Sequence, residues 1–82
     1  MTNEQRAEMH NLLDKVIDIN ELLPANKYVS INYSSRSIVT ISGYERINDS
    51  HEIIVDPMSH YLDGTYGKPF NELHNALEEL VK

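Results

Sequence analysis

The stretch Lys27-Tyr28-Val29-Ser30-Ile31-Asn32-Tyr33, then Ser34-Ser35-Arg36, then Ser37-Ile38-Val39-Thr40-Ile41-Ser42-Gly43 decides the fold. Val29, Ile31 and Tyr33 alternate with Tyr28, Ser30 and Asn32, so apolar residues line one face of an extended strand. Val39 and Ile41 alternate with Thr40 and Ser42 in a second. β-Branched side chains dominate both runs, as a pleated, half-buried surface favours. A two-residue turn at Ser35-Arg36 pairs Ile31 with Thr40 and Val29 with Ser42, which mixes the faces. A three-residue loop, Ser34-Ser35-Arg36, pairs Ile31 with Val39 and Val29 with Ile41. It is the expected connection, because a one-residue slip turns every apolar side chain to water.

Working backward, Thr2 with Gln5 fits a capping box at a helix start. Met9, Leu12, Leu13, Val16, Ile17 and Leu22 or Leu23 then recur at helical spacing, with Ile19 off the main stripe. Pro24 disfavours helical geometry at Leu23 and ends the helix there. Working forward, the second strand continues from Gly43 through Ile47, and Asn48-Asp49-Ser50 signals a turn. Glu52-Ile53-Ile54-Val55-Asp56 reads as a third short strand ended by Pro57, with Ile53 and Val55 on the apolar face. Residues 57–67 read as the longest irregular segment, and Asp63-Gly64 as a turn within it. Pro69 opens a second helix, in which Phe70, Leu73, Leu77, Leu80 and Val81 form the apolar stripe.

The expected fold is α+β: one domain over residues 1–82, in the order α-β-β-β-α. A three-stranded antiparallel meander carries both helices on one face, because a sheet with one apolar face needs a cover. Val29, Ile31, Val39 and Ile41 are expected to be buried with Leu13, Val16, Leu73 and Leu77. A core in a chain of 82 residues is small, with roughly 60% of the unfolded surface buried in domains of this class.

Composition excludes several functions. There is no cysteine, hence no disulfide and no thiolate metal site. Residues 1–20 carry charges throughout and contain no apolar signal region, which points to a cytoplasmic protein. No apolar run approaches the roughly 18 residues of a membrane span. The net charge is −6, from 13 acids and 7 bases. It is unevenly spread: between residues 47 and 81, Asp49, Glu52, Asp56, Asp63, Glu72, Glu78 and Glu79 face Lys68 alone. That balance argues against direct binding to nucleic acid, which needs Lys and Arg for its phosphates. It suits a basic partner, and it also serves plain solubility.

No catalytic constellation is present. His10, His51, His60 and His74 include no i, i+4 pair, and the pair His60 and Asp63 lacks a third ligand, so no metal or other cofactor is expected. No nucleophile-elbow, phosphate-loop or dinucleotide glycine pattern occurs, and an enzyme is not expected. Met58, Tyr61, Leu62 and Tyr66 in the 57–67 segment are either interface anchors beside Asp63 or a plug for the end of the core. Tyr28, Ile38, Tyr44 and Ile54 are expected on the sheet face away from the helices, as an exposed patch suited to self-association.

The order α-β-β-β-α resembles that of the double-stranded-RNA-binding domain. That family opens its second helix with a run of lysines that grips phosphates. Here the corresponding start is Gly67-Lys68-Pro69-Phe70, followed by Glu72, Glu78 and Glu79, so the RNA-binding role does not carry over. The acidic surface on a small build of strands and helices looks like some phage-encoded anti-CRISPR proteins and other nucleic-acid mimics, an analogy of fold and charge. The expected function is therefore a small acidic protein-binding inhibitor that occupies a basic, nucleic-acid-binding surface of another protein. Glu52, Asp56, Asp63, Glu72, Glu78 and Glu79 would supply the charge, with Tyr61 and Tyr66 as anchors. The alternative is a structural or regulatory homo-oligomer that pairs through Tyr28, Ile38, Tyr44 and Ile54.

Overall fold

The computed structural model describes residues 2–34, 37–63 and 67–82. Helix α1 (Asn3–Leu22) is followed by strands β1 (Lys27–Tyr33), β2 (Ile38–Ile47) and β3 (Ser50–Tyr61), and then by helix α2 (Phe70–Glu79). The strands form one antiparallel sheet in the order β1-β2-β3. Both helices pack on the face that carries Val29, Val39 and Ile41, so the α+β architecture is the expected one.

The ends of α1 follow from local chemistry. The Thr2 hydroxyl accepts the Gln5 N–H at 3.0 Å, and the Gln5 side chain accepts the Thr2 N–H at 2.9 Å. Leu23, before Pro24, is extended at φ −77° and ψ 150°. The rotation of the helix differs from expectation. Leu12, Val16 and Ile19 are its buried residues. Leu13 and Ile17 are 43% and 47% exposed, and Leu22 is exposed as well. The buried line 12–16–19 is a narrow stripe, and Leu13 and Ile17 fall on its flank, one residue past what the small sheet and α2 can cover.

The register of β1 and β2 also differs from expectation. Ile31 pairs with Ile41, Val29 with Gly43 and Tyr33 with Val39. The connection runs from Ser34 to Ser37 and is closed by Ser34 N–H to the Ile38 carbonyl at 2.9 Å, with Ser37 in the left-handed region at φ 61°. Ser35 and Arg36, two of the three expected loop residues, lie outside the described residues. A shift of two residues keeps every side chain on its own face, so alternation cannot distinguish the two registers. The observed one places Gly43 opposite both Val29 and Val55. A Cβ on Gly43 would lie 3.0 Å from Val55 Cγ2 and 3.3 Å from Val29 Cγ1, so these two side chains fill the room the glycine leaves.

Strand β3 is longer than expected and runs through Pro57. It tolerates the proline because it is an edge strand and because its register against β2 shifts between Ile41 and Gly43, where Asp56 and Pro57 sit. A second shift, between Gly43 and Tyr44, inserts Ile54. That extra residue reverses the alternation, and Ile53, expected in the core, is 56% exposed opposite Tyr44. Met58 to Tyr61, expected in irregular chain, belong to β3. Leu62 is buried in the core, and its N–H donates to the Ser37 carbonyl at 2.9 Å. Ile31 packs on the core only partly buried. The long β2–β3 hairpin stretches the molecule to 41 × 20 × 19 Å. No described helix is long and apolar enough to cross a membrane.

Candidate functional site

Three surfaces hold the residues singled out by sequence. The first is the outer edge of β3. Glu52 and Asp56 are both exposed on this strand. Neither has a cationic partner among the described residues. Glu52 stands opposite Glu45, and Glu45 stands opposite Lys27, whose Nζ is 3.7 Å from its carboxylate. The single lysine therefore serves the inner of two facing acids. Asp63 is exposed in the turn after β3, and Tyr61, half-buried, is the strand's last residue. Tyr66 lies outside the described residues.

The second surface is α2. Glu72, Glu78 and Glu79 are exposed, but each has its own lysine: Lys68 at 3.8 Å, Lys15 at 2.5 Å and Lys82 at 3.2 Å. Lys15 lies on α1, so its ion pair with Glu78 ties the helices together. The Lys15 hydrogen bond, and then its charge, hold the Glu78 carboxyl below the usual carboxylate range. Sequence alone shows the charge of these acids but not that it is answered within the molecule.

The third surface is the sheet face away from the helices. Tyr28 and Tyr44 meet there with ring centroids 5.4 Å apart. The Tyr28 hydroxyl lies 2.9 Å from His51 Nδ1, and the two rings meet edge to face. Ser30 pairs with Ser42 at 3.0 Å and Thr40 with Ser59 at 2.8 Å, hydroxyl to hydroxyl. Ile38 lies at the far end of this face, opposite Tyr61; it and Tyr44, expected to be exposed, are half-buried, because cross-strand neighbours cover part of each. Ile54 sits in the bulge, half-buried, and Ile53 takes the place expected for it beside Tyr44. His51 and Ile53 were missed as members of the patch, because two register shifts in one strand leave no trace in a hydropathy pattern.

The remaining histidines have other neighbours. The His60 ring packs on Phe70 at 4.1 Å, and its Nδ1 lies 2.7 Å from the Lys68 carbonyl oxygen. Next to it, Lys68 N–H donates to the Ser59 carbonyl at 2.8 Å, and Gly67 is in the left-handed region at φ 90°. A Cβ on Gly67 would lie 2.6 Å from the Ser59 oxygen, so this close approach needs glycine. His10 lines an open cleft of about 280 Å³ with Arg6, Met9 and Tyr33. Among the described residues, no three His, Asp or Glu side chains converge on one point.

Comparison of the chain with protein-family models, with curated proteins and with solved structures finds no match.

Proposed function

We propose that this chain is a noncatalytic protein-binding module that presents the acidic edge of β3 to a basic surface of another protein. The observation that supports this reading is the contrast between the two sets of acids. Glu72, Glu78 and Glu79 are each answered by a lysine of the same chain, whereas Glu52 and Asp56 project from an edge strand with no lysine or arginine partner among the described residues. Exposed charges of one sign steer an oppositely charged partner over distance and raise its association rate. A surface that binds nucleic acid is the basic surface of greatest charge density that such an edge could occupy, and the mode of action would be competitive inhibition by mimicry of a phosphate strand. Tyr61, at the end of the same strand, would anchor the complex after docking.

The experiment is a binding measurement on a partner recovered by affinity capture, repeated over a range of salt. Glu52→Lys with Asp56→Lys should slow association, and the wild-type on-rate should fall as salt rises. Glu72→Lys with Glu79→Lys should have the smaller effect, because those charges are already paired. Tyr61→Ala should instead speed dissociation. Binding that is insensitive to salt and to both double reversals would remove this reading.

A further inference from the structure

We propose that the uncovered sheet face is a weak self-association surface on which a second copy of this chain docks, sheet against sheet. It does not rest on the acidic-edge reading, and the two surfaces share only their border at Asp56 and Tyr61.

Charge selects the face and the occupant. The chain has 13 acids and a net charge of −6. Along β1 and β2, the face carries Tyr28, Ser30, Asn32, Ile38, Thr40, Ser42, Tyr44 and Arg46, with no acid among them. On β3, the residues opposite these are His51, Ile53, Ser59 and Tyr61, and the one acid at the rim is Asp56, in the bulge beside Ser42. Two copies that met through α1 or the β3 edge would set carboxylates against carboxylates, which costs free energy. Through this face they meet mainly with aromatic, aliphatic and hydroxyl groups, with Arg46 and His51 at one end. Depletion of charge and enrichment in tyrosine are the marks of an interface core.

The hydroxyl groups of the face are suited to burial. The Ser30–Ser42 and Thr40–Ser59 hydroxyl pairs and the Tyr28–His51 bond satisfy one another within one copy. Covering them therefore strands few donors or acceptors. The rings of Tyr28 and Tyr44 already hold each other in place, which lowers the entropy lost on docking.

A competing apolar patch exists on α1, where Leu13 and Ile17 are exposed. Asp14, Asp18 and Glu21 surround it in the sequence, so a helix-to-helix pair would bring those acids together. The sheet face has a single acid, Asp56, at its rim.

The size of the face sets the strength. Three strands about 4.8 Å apart and about 25–35 Å long give on the order of 400–500 Å² per copy. The pair then buries about 800–1,000 Å², below the range of stable specific complexes and in that of weak ones. Dissociation is expected in the micromolar range or weaker.

Sedimentation equilibrium of the full chain, from about 1 μM to about 1 mM, tests this. A reversible monomer–dimer equilibrium is expected. Ile53→Glu and Tyr44→Glu should each weaken it at least about tenfold, with circular dichroism reporting that the fold is kept. Ile53 is more than half exposed, so its substitution tests the surface without burying a charge in the core. Ile17→Glu should leave the dimer unchanged. A chain that stays monomeric over the whole range would overturn the proposal. So would a dimer that survives Ile53→Glu in a folded variant, or one that Ile17→Glu abolishes.

Discussion

The Asn20 side-chain amide holds both backbone groups of Val29. Its Nδ2 donates to the Val29 carbonyl at 2.9 Å, and its Oδ1 accepts the Val29 N–H at 2.8 Å. Asn20 lies on α1 and Val29 on β1, the edge strand opposite β3. A helix side chain thus does what a neighbouring strand would do, and it closes part of an edge that otherwise invites pairing with another chain. Asn20→Ala leaves both groups of Val29 without their partner. A loss of about 1–3 kcal/mol is expected in urea denaturation. Hydrogen exchange at the Val29 amide should quicken. Unchanged protection there would show that the amide contact contributes nothing.

The rotation of α1 predicts an unequal response from two adjacent leucines. Leu12 is fully buried, and Leu13 is 43% exposed. Leu12→Ala should cost about 2–5 kcal/mol. Leu13→Ala should change stability by no more than about 0.5 kcal/mol. Chemical denaturation of the two variants decides this, and equal losses would mean that the helix is rotated by part of a turn.

These leucines also show where sequence reading reaches its end. The capping box, the stop before Pro24, the strand alternation and the α2 stripe are local signals, and each produced its element. Leu12, Leu13, Val16 and Ile17 fit a broad apolar stripe equally well, and only the width of the cover decides which are buried. Parity alone leaves the β1–β2 register open by two residues, and the room that Gly43 leaves for Val29 is what distinguishes the two. Pro57 concealed the true length of β3, since a proline in a strand is legible only once the strand is known to be an edge with a bulge. For the candidate site, the positions of the acids were legible. Their lysine partners were not, because Lys15 and Glu78 are brought together only by the packing of α1 on α2.

Gly43 gives a prediction of the opposite kind from a cavity. Gly43→Ala places a methyl 3.0 Å from Val55 Cγ2 and 3.1 Å from Val55 Cβ. Val55 is β-branched and cannot turn away freely. The strain should cost about 1–3 kcal/mol. In a Val55→Ala background, the same substitution should cost less, since the Cγ2 contact is gone and only the Cβ contact at 3.1 Å remains. A double-mutant cycle measures this coupling. A neutral or stabilising Gly43→Ala in the wild-type background would contradict the close packing.

The Lys15–Glu78 pair makes the acid limb of stability predictable in sign. Lys15 Nζ donates to Glu78 Oε1 across the α1–α2 contact, and this bond, with the lysine charge, lowers the carboxyl's pKa in the folded state. In the unfolded chain, the group returns to the usual carboxylate range. A lowered folded pKa means that the unfolded state binds the proton more readily. The contribution is therefore present above the usual carboxylate range and is lost as pH falls through the lowered folded value. Glu78→Gln removes this dependence. The stability difference between wild type and Glu78→Gln should be largest near neutral pH and should shrink as the solution is acidified. Added salt should also shrink it, because both side chains reach solvent. Lys15→Met should move the Glu78 titration back up to the usual range, which carboxyl NMR can follow directly. A Glu78 that titrates in the usual range in the wild-type protein would mean that the pair does not persist in solution.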